Sequence, residues 1–79
     1  MENSQHINWN YDVLKCVEEL NELATVLIQQ NNKPHKDLSG KIIEELGDAK
    51  YRMDNLIVKY YGTENVKDRI ERKWGRPWG

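Results

Sequence analysis

The amino-acid sequence predicts an all-α chain: an antiparallel helical hairpin plus a shorter third helix, assembling into a multi-helix bundle by oligomerisation. Three observations predict it. Apolar residues recur at three- and four-residue spacing along two long stretches. The helix-breaking residues between these stretches are confined to a polar segment around Pro34 and to Gly62-Thr63. With 79 residues, the chain buries only a modest share of its surface, so self-association is expected.

The first helix is expected over about 10–31, where Val13, Val17, Leu20, Ala24, Leu27 and Ile28 form one apolar stripe. Residues 1–9 read as an N-terminal arm. The polar run QQNNKPHKD reads as a connection. The second helix is expected over about 37–61, with Ile42, Leu46, Ala49, Met53, Leu56, Ile57 and Tyr60 on its stripe. A connection of roughly five residues between two long helices implies an antiparallel hairpin. Gly62 then serves as a C-terminal cap and Thr63 as the next N-cap. The third helix, about 64–74, starts acidic and ends basic in TENVKDRIERKW, as the helix dipole favours. Residues 75–79 form a tail. No repeat or low-complexity tract interrupts this single domain, 1–79.

Charge and composition narrow the partners. With 12 basic and 13 acidic residues, the net charge is -1, so nothing drives non-specific nucleic-acid binding. Cys16 is the one cysteine. It can form no internal disulfide and suits a reducing compartment. No apolar run approaches the ~20 residues that span a membrane, and MENSQHINWN lacks the basic head and apolar core of a signal peptide. A cytoplasmic protein with no membrane or nucleic-acid partner is expected.

The acids are distributed less evenly. Residues 18–22 read EELNE and residues 44–48 read EELGD. At ~100° per residue, and with Glu19 at zero, Glu22 lies at about -60°, while the apolar stripe centres near +120°. Leu23 at about +40° and Val26 at about -20° share the direction of Glu19, which is therefore not plainly solvent. On the second helix, with Glu45 at zero, Asp48 lies at about -60° and the stripe centres near +80°. The stripes are expected to be the core faces, with both acid sets on the same edge.

The two sets are also equidistant from the Lys33-Pro34 connection, so an antiparallel hairpin sets them side by side. Four carboxylates held together disfavour one another's ionisation. A hard cation such as Mg²⁺, or Mn²⁺, held by Glu19, Glu22, Glu45 and Asp48 resolves the conflict. A solvated acidic face is the alternative.

Glu18-Glu19-x-x-Glu22, a gap of 22 residues, then Glu45-x-x-Asp48 resembles the EExxE…ExxD signature of the MazG-like, all-α nucleoside triphosphate pyrophosphohydrolases. EELGDAKYRMDNL is similar to that family's helix after the second acidic pair, and VKDRIERKWGR to its common ending. The resemblance covers about residues 10–76. It implies Mg²⁺-dependent hydrolysis of an NTP or dNTP between the α- and β-phosphates. Glu19, Glu22, Glu45 and Asp48 would be the metal ligands, and Glu18 a further contact or an orienter of the attacking water. It also implies a homodimer or homotetramer with sites built at subunit interfaces. Positions 50–52, Lys-Tyr-Arg, depart from the bulky apolar residues that members often carry there.

Beside the acids, Arg52 is placed to reach a triphosphate, with Lys15 and Lys59 as further candidates; i, i+4 pairing with Asp48 or Glu19 is the ordinary alternative for Arg52 and Lys15. Asn55 can hydrogen-bond a sugar or phosphate. Among the aromatics Trp9, Tyr11, Trp74 and Trp78, Trp9 is the preferred platform for a base, against a purely structural role at the bundle ends. His6 and His35 have no zinc-ligand partners and read as surface, and Cys16 as a small apolar filler. Two rival functions remain open: a MazG-like binding module that sequesters a nucleotide or a protein without turnover, and a helical adaptor whose acids are solvated.

Overall fold

The computed structural model of the chain describes the backbone over residues 2–75 and side chains over residues 8–75. It is helical, with no strand among the described residues. The order is α1 (Glu2–Asn32), α2 (Ser39–Leu56), a π-helical segment (Ile57–Tyr61) and α3 (Thr63–Trp74). No described helix is long and apolar enough to cross a membrane.

Helix α1 starts at Glu2 rather than near residue 10. The stretch expected as an arm contains no Gly or Pro, so nothing in it stops a helix from propagating towards the N-terminus. At the other end, the connection is closed by one side chain. Gln30 accepts the Leu38 N–H at 2.8 Å through Oε1, and its amide donates to the carbonyls of Lys33 (3.2 Å) and Lys36. Asp37 accepts the Ser39 N–H at 3.0 Å, and the Ser39 hydroxyl and N–H hold its carboxyl below the ordinary value.

The second helix does not run as α-helix to residue 61. Over its last turn it widens, and the Gly62 N–H donates to the Ile57 carbonyl at 2.6 Å. Gly62 has φ +90°, and a Cβ there would lie 3.0 Å from Asn65 Nδ2. That conformation ends the helix. Thr63 is the first residue of α3 rather than its cap, and Gly62 takes the N-cap position with no side-chain cap.

The hairpin is antiparallel, because the start of α1 meets the end of the second helix: Trp9 Nε1 donates to Tyr61 Oη at 2.9 Å. Its packing corrects the expected face of α1. On α1 the buried residues are Asp12, Cys16 and Val26, with Glu19 and Leu23 half-buried. They centre about 20–30° from Glu19, not near +120°. On α2 the buried residues are Glu45 and Ala49. The seam is narrow: the small Cys16 and Ala49 and the carboxylates of Asp12 and Glu45 share it with Val26 and with half-buried Leu23, Ile42 and Leu56. The α1 stripe stands beside it, with Leu27 at 45 % exposure, whereas the expected stripe of the second helix enters it: Ala49 is buried, Ile42, Leu56, Ile57 and Tyr60 are half-buried, and Leu46 and Met53 remain at its open edge. Two helices can turn only one side each towards the other, and the stripes here are broader than that contact. Nor does α3 cover them, since it packs chiefly against the π segment before it. The molecule measures 51 × 32 × 15 Å, an elongated shape.

Candidate metal centre

Because α1 and α2 meet along the Glu19 and Glu45 directions, both carboxylates enter the seam. One oxygen each from Glu19, Glu22 and Glu45 lies within 4.8 Å of the other two. Glu45 is 4 % exposed, Glu19 is half-buried and Glu22 is exposed at the mouth. The Oε2 atoms of Glu19 and Glu45 are buried and have no hydrogen-bond partner. A buried carboxylate oxygen without a donor is costly. The Glu19 carboxylate, then that of Glu45, with some loss of solvation, pushes the Glu22 carboxyl above its ordinary value.

One cation answers part of this charge. Lys41 Nζ lies 3.1 Å from Glu45 Oε1 and 3.2 Å from Glu44 Oε2. Glu45 and then Glu44 raise the Lys41 ammonium above its ordinary value. The sequence reading missed Lys41, although its position four residues before Glu45 carried the signal. Lys41, Glu45 and Glu22 line an open cleft of about 430 Å³ with Asn21, Thr25 and Gln29.

The remaining candidates fall elsewhere. Asp48 is exposed, one turn beyond Glu45 and outside the 4.8 Å group. Glu18 is also exposed, and its partner is Lys15 at 3.6 Å. Lys15 therefore pairs with Glu18, not Glu19, and its ammonium also sits 5.7 Å from the centre of the Tyr11 ring. Arg52 is half-buried beside Tyr51, 5.6 Å from that ring centre, and ~10 Å along the helix from Glu45. Asn55 is half-buried one turn further on. Trp9 is held by Tyr61, ~15 Å along α1 from Glu19, so the acids and the indole are not one pocket. Trp74 is exposed at the end of α3, and His35 is exposed in the connection. Trp78 and the His6 side chain lie outside the described residues. Cys16 is buried as a filler.

A second polar cluster was not anticipated. Asp12, 4 % exposed, accepts from Tyr60 Oη at 2.8 Å and Lys59 Nζ at 3.1 Å. The Tyr60 hydroxyl, then Lys59, lowers the Asp12 carboxyl below its ordinary value. Lys59 is thereby engaged with Asp12 and is not a free phosphate contact. The signal for Asp12 was its angle of about +20° from Glu19, which matters only once the seam is known to run there.

The Glu19–Glu22–Glu45 group fits a hard divalent cation. All of its donors are carboxylate oxygens, two of them in need of a partner. The three oxygens lie within 4.8 Å of one another; around one octahedral Mg²⁺ they would draw in to ~2.9 Å for neighbouring and ~4.2 Å for opposite ligands. No family model matches the chain, and neither a curated protein nor a solved structure matches it.

Proposed function

We propose that the chain is a Mg²⁺-dependent nucleotide pyrophosphohydrolase of the MazG-like kind. It would cleave an NTP or dNTP between the α- and β-phosphates to the monophosphate and pyrophosphate. The observation that carries this reading is the pair of buried, unpartnered oxygens of Glu19 and Glu45 converging with Glu22.

Glu19, Glu22 and Glu45 would hold Mg²⁺, or Mn²⁺ in its place. Such an ion, when bound, offsets charge on phosphoryl oxygens and acidifies bound water. The chain's own residues do the rest. Burial fixes Glu45 in the seam, so its geometry changes little when substrate arrives. Glu18 and Asp48 are exposed outside the cluster, and on this reading they would come to the metal only with bound substrate. Lys41 presents a cation inside the cleft and can pass from Glu45 to a phosphate oxygen. Arg52 and Asn55 lie further along α2, at the reach of the distal end of a triphosphate, while Lys15 is committed to Glu18. Self-association as a homodimer or homotetramer belongs to the same reading.

One observation favours a second reading. Only three of the four signature acids converge, which is enough to hold a metal-bound nucleotide without turning it over. One experiment separates the two: pyrophosphate and monophosphate release from a panel of NTPs and dNTPs, with Mg²⁺ and then with EDTA, beside Glu45→Gln. The enzyme reading expects release that both EDTA and the substitution abolish. A nucleotide that raises the melting temperature and is never cleaved sinks turnover and leaves the binding module.

A further inference from the structure

The two oxygens of Glu45 have opposite surroundings. Oε2 is buried in the seam without a partner. Oε1 carries the Lys41 ammonium at 3.1 Å. The two side chains differ as much in freedom. Glu45 is held by burial, whereas the Lys41 side chain is 57 % exposed and swings on a flexible four-carbon stem. Its other contact, Glu44 Oε2 at 3.2 Å, is exposed too, so leaving Glu45 does not strand the ammonium.

Lys41 also stands against a local preference. It lies in the first turn of α2, which begins at Ser39 and has no acid there. The helix dipole favours anions, not cations, at that end. Its i, i+3 pair with Glu44 is exposed on both sides and adds little stability. The ammonium and the partial positive charge of the helix end thus come together at one end of the cleft that Glu22 and Glu45 also line.

Counting charges separates two effects of this residue. Glu19, Glu22 and Glu45 bring three negative charges and Lys41 one positive. A divalent ion held by the three acids makes the group neutral with Lys41 and leaves it one charge negative without. A neutral group admits a phosphate anion, and a negative one repels it. Towards the ion itself the sign reverses, because the ion and Lys41 are like charges sharing the Glu45 carboxylate.

We propose that Lys41 couples the two ligands of the cleft. It weakens the hold of the acids on a free divalent ion and strengthens the hold of the ion-loaded acids on a phosphate chain. The cleft then takes the metal–polyphosphate complex in preference to either part alone. This deepens the metal-dependent reading above and rests on it.

The test measures two affinities by melting shift and titration calorimetry: Mg²⁺ alone, and inorganic pyrophosphate with Mg²⁺ in excess. Pyrophosphate is the product on that reading, so no turnover intervenes. Lys41→Met keeps a good helix former at an exposed position, so the fold is retained. It should bind Mg²⁺ more tightly and pyrophosphate more weakly, each by roughly 5-fold or more. Lys41→Arg, which keeps the charge, should stay near the parent in both. Lys50→Met, which removes the same charge from an exposed pair with Asp54 on α2, should move neither. If Lys41→Met binds Mg²⁺ no more tightly than the parent, or pyrophosphate no more weakly, the coupling role is overturned and the metal reading stands. A parent that shows neither a melting shift nor heat with Mg²⁺ overturns both.

Discussion

At the scale of single residues, Glu45 and Asp12 are the two buried charges of the described chain, and they are treated differently. Asp12 is satisfied by Tyr60 and Lys59, whereas Glu45 has one oxygen on Lys41 and the other on nothing. A satisfied buried charge fixes structure; an unsatisfied one awaits a ligand. Asp12 should therefore show in stability rather than in chemistry. Its folded pKa lies below the ordinary 3.8. The stability it contributes is thus present above that value and is lost as pH falls through the lower, folded one. Asp12→Asn is expected to melt several degrees below the parent at pH 7, with the gap closing in acid as the parent's own Asp12 takes up a proton. Thermal melts of both proteins across that range decide it; a gap that stays constant into acid removes the carboxylate from the account. The sequence revealed Glu19, Glu22 and Glu45 because their spacing alone sets them level across a hairpin. Asp12 stayed hidden because the sequence reading set the α1 core face near +120°, whereas Asp12, at about +20°, lies in the seam where Lys59 and Tyr60 meet it.

At the scale of elements, the sequence predicted the helices from periodicity and breakers, and missed what periodicity cannot report. The two apolar stripes are real, but a stripe shows which side prefers burial, not what will bury it. On α1 the seam follows Cys16 rather than the stripe, and on α2 it follows Ala49, a stripe residue; the two small side chains let the backbones approach. The widened turn of Ile57–Tyr61 leaves no mark in spacing because its residues would suit an α-helix equally well. Gly47 is a test of how α2 is used. It sits mid-helix, exposed, and a Cβ there would meet nothing within 4 Å. Replacing it with Ala removes the helix penalty of ~1 kcal/mol, so Gly47→Ala should raise the melting temperature by roughly 4–8 °C for a domain of this size. A fall in melting temperature instead would mean that something packs against this side of α2.

At the scale of the whole molecule, two needs stand apart: the uncompensated carboxylates of the cleft and the apolar side chains that stay exposed, Leu27 and Ile43 among them. They are met by different ligands and should be thermodynamically separable. A cation that binds only the folded state stabilises it by RT ln(1 + [L]/Kd), ~2.7 kcal/mol at a hundredfold excess over Kd. For a chain this short that corresponds to a shift on the order of 10 °C. Association of copies adds its own dependence on chain concentration. If each cleft is complete within one chain, the Mg²⁺-induced shift is the same in dilute and concentrated protein, and titration calorimetry finds one cluster per chain. Had the partner supplied a ligand, dilution would erase the metal shift together with the dimer, and stoichiometry would follow the assembly. Melting scans with Mg²⁺ and with EDTA, at two chain concentrations, distinguish these cases. A metal shift that disappears on dilution would move the centre from the seam of one hairpin to the junction of two. Glu45 would then have to be read as buried for the partner's sake rather than for its own.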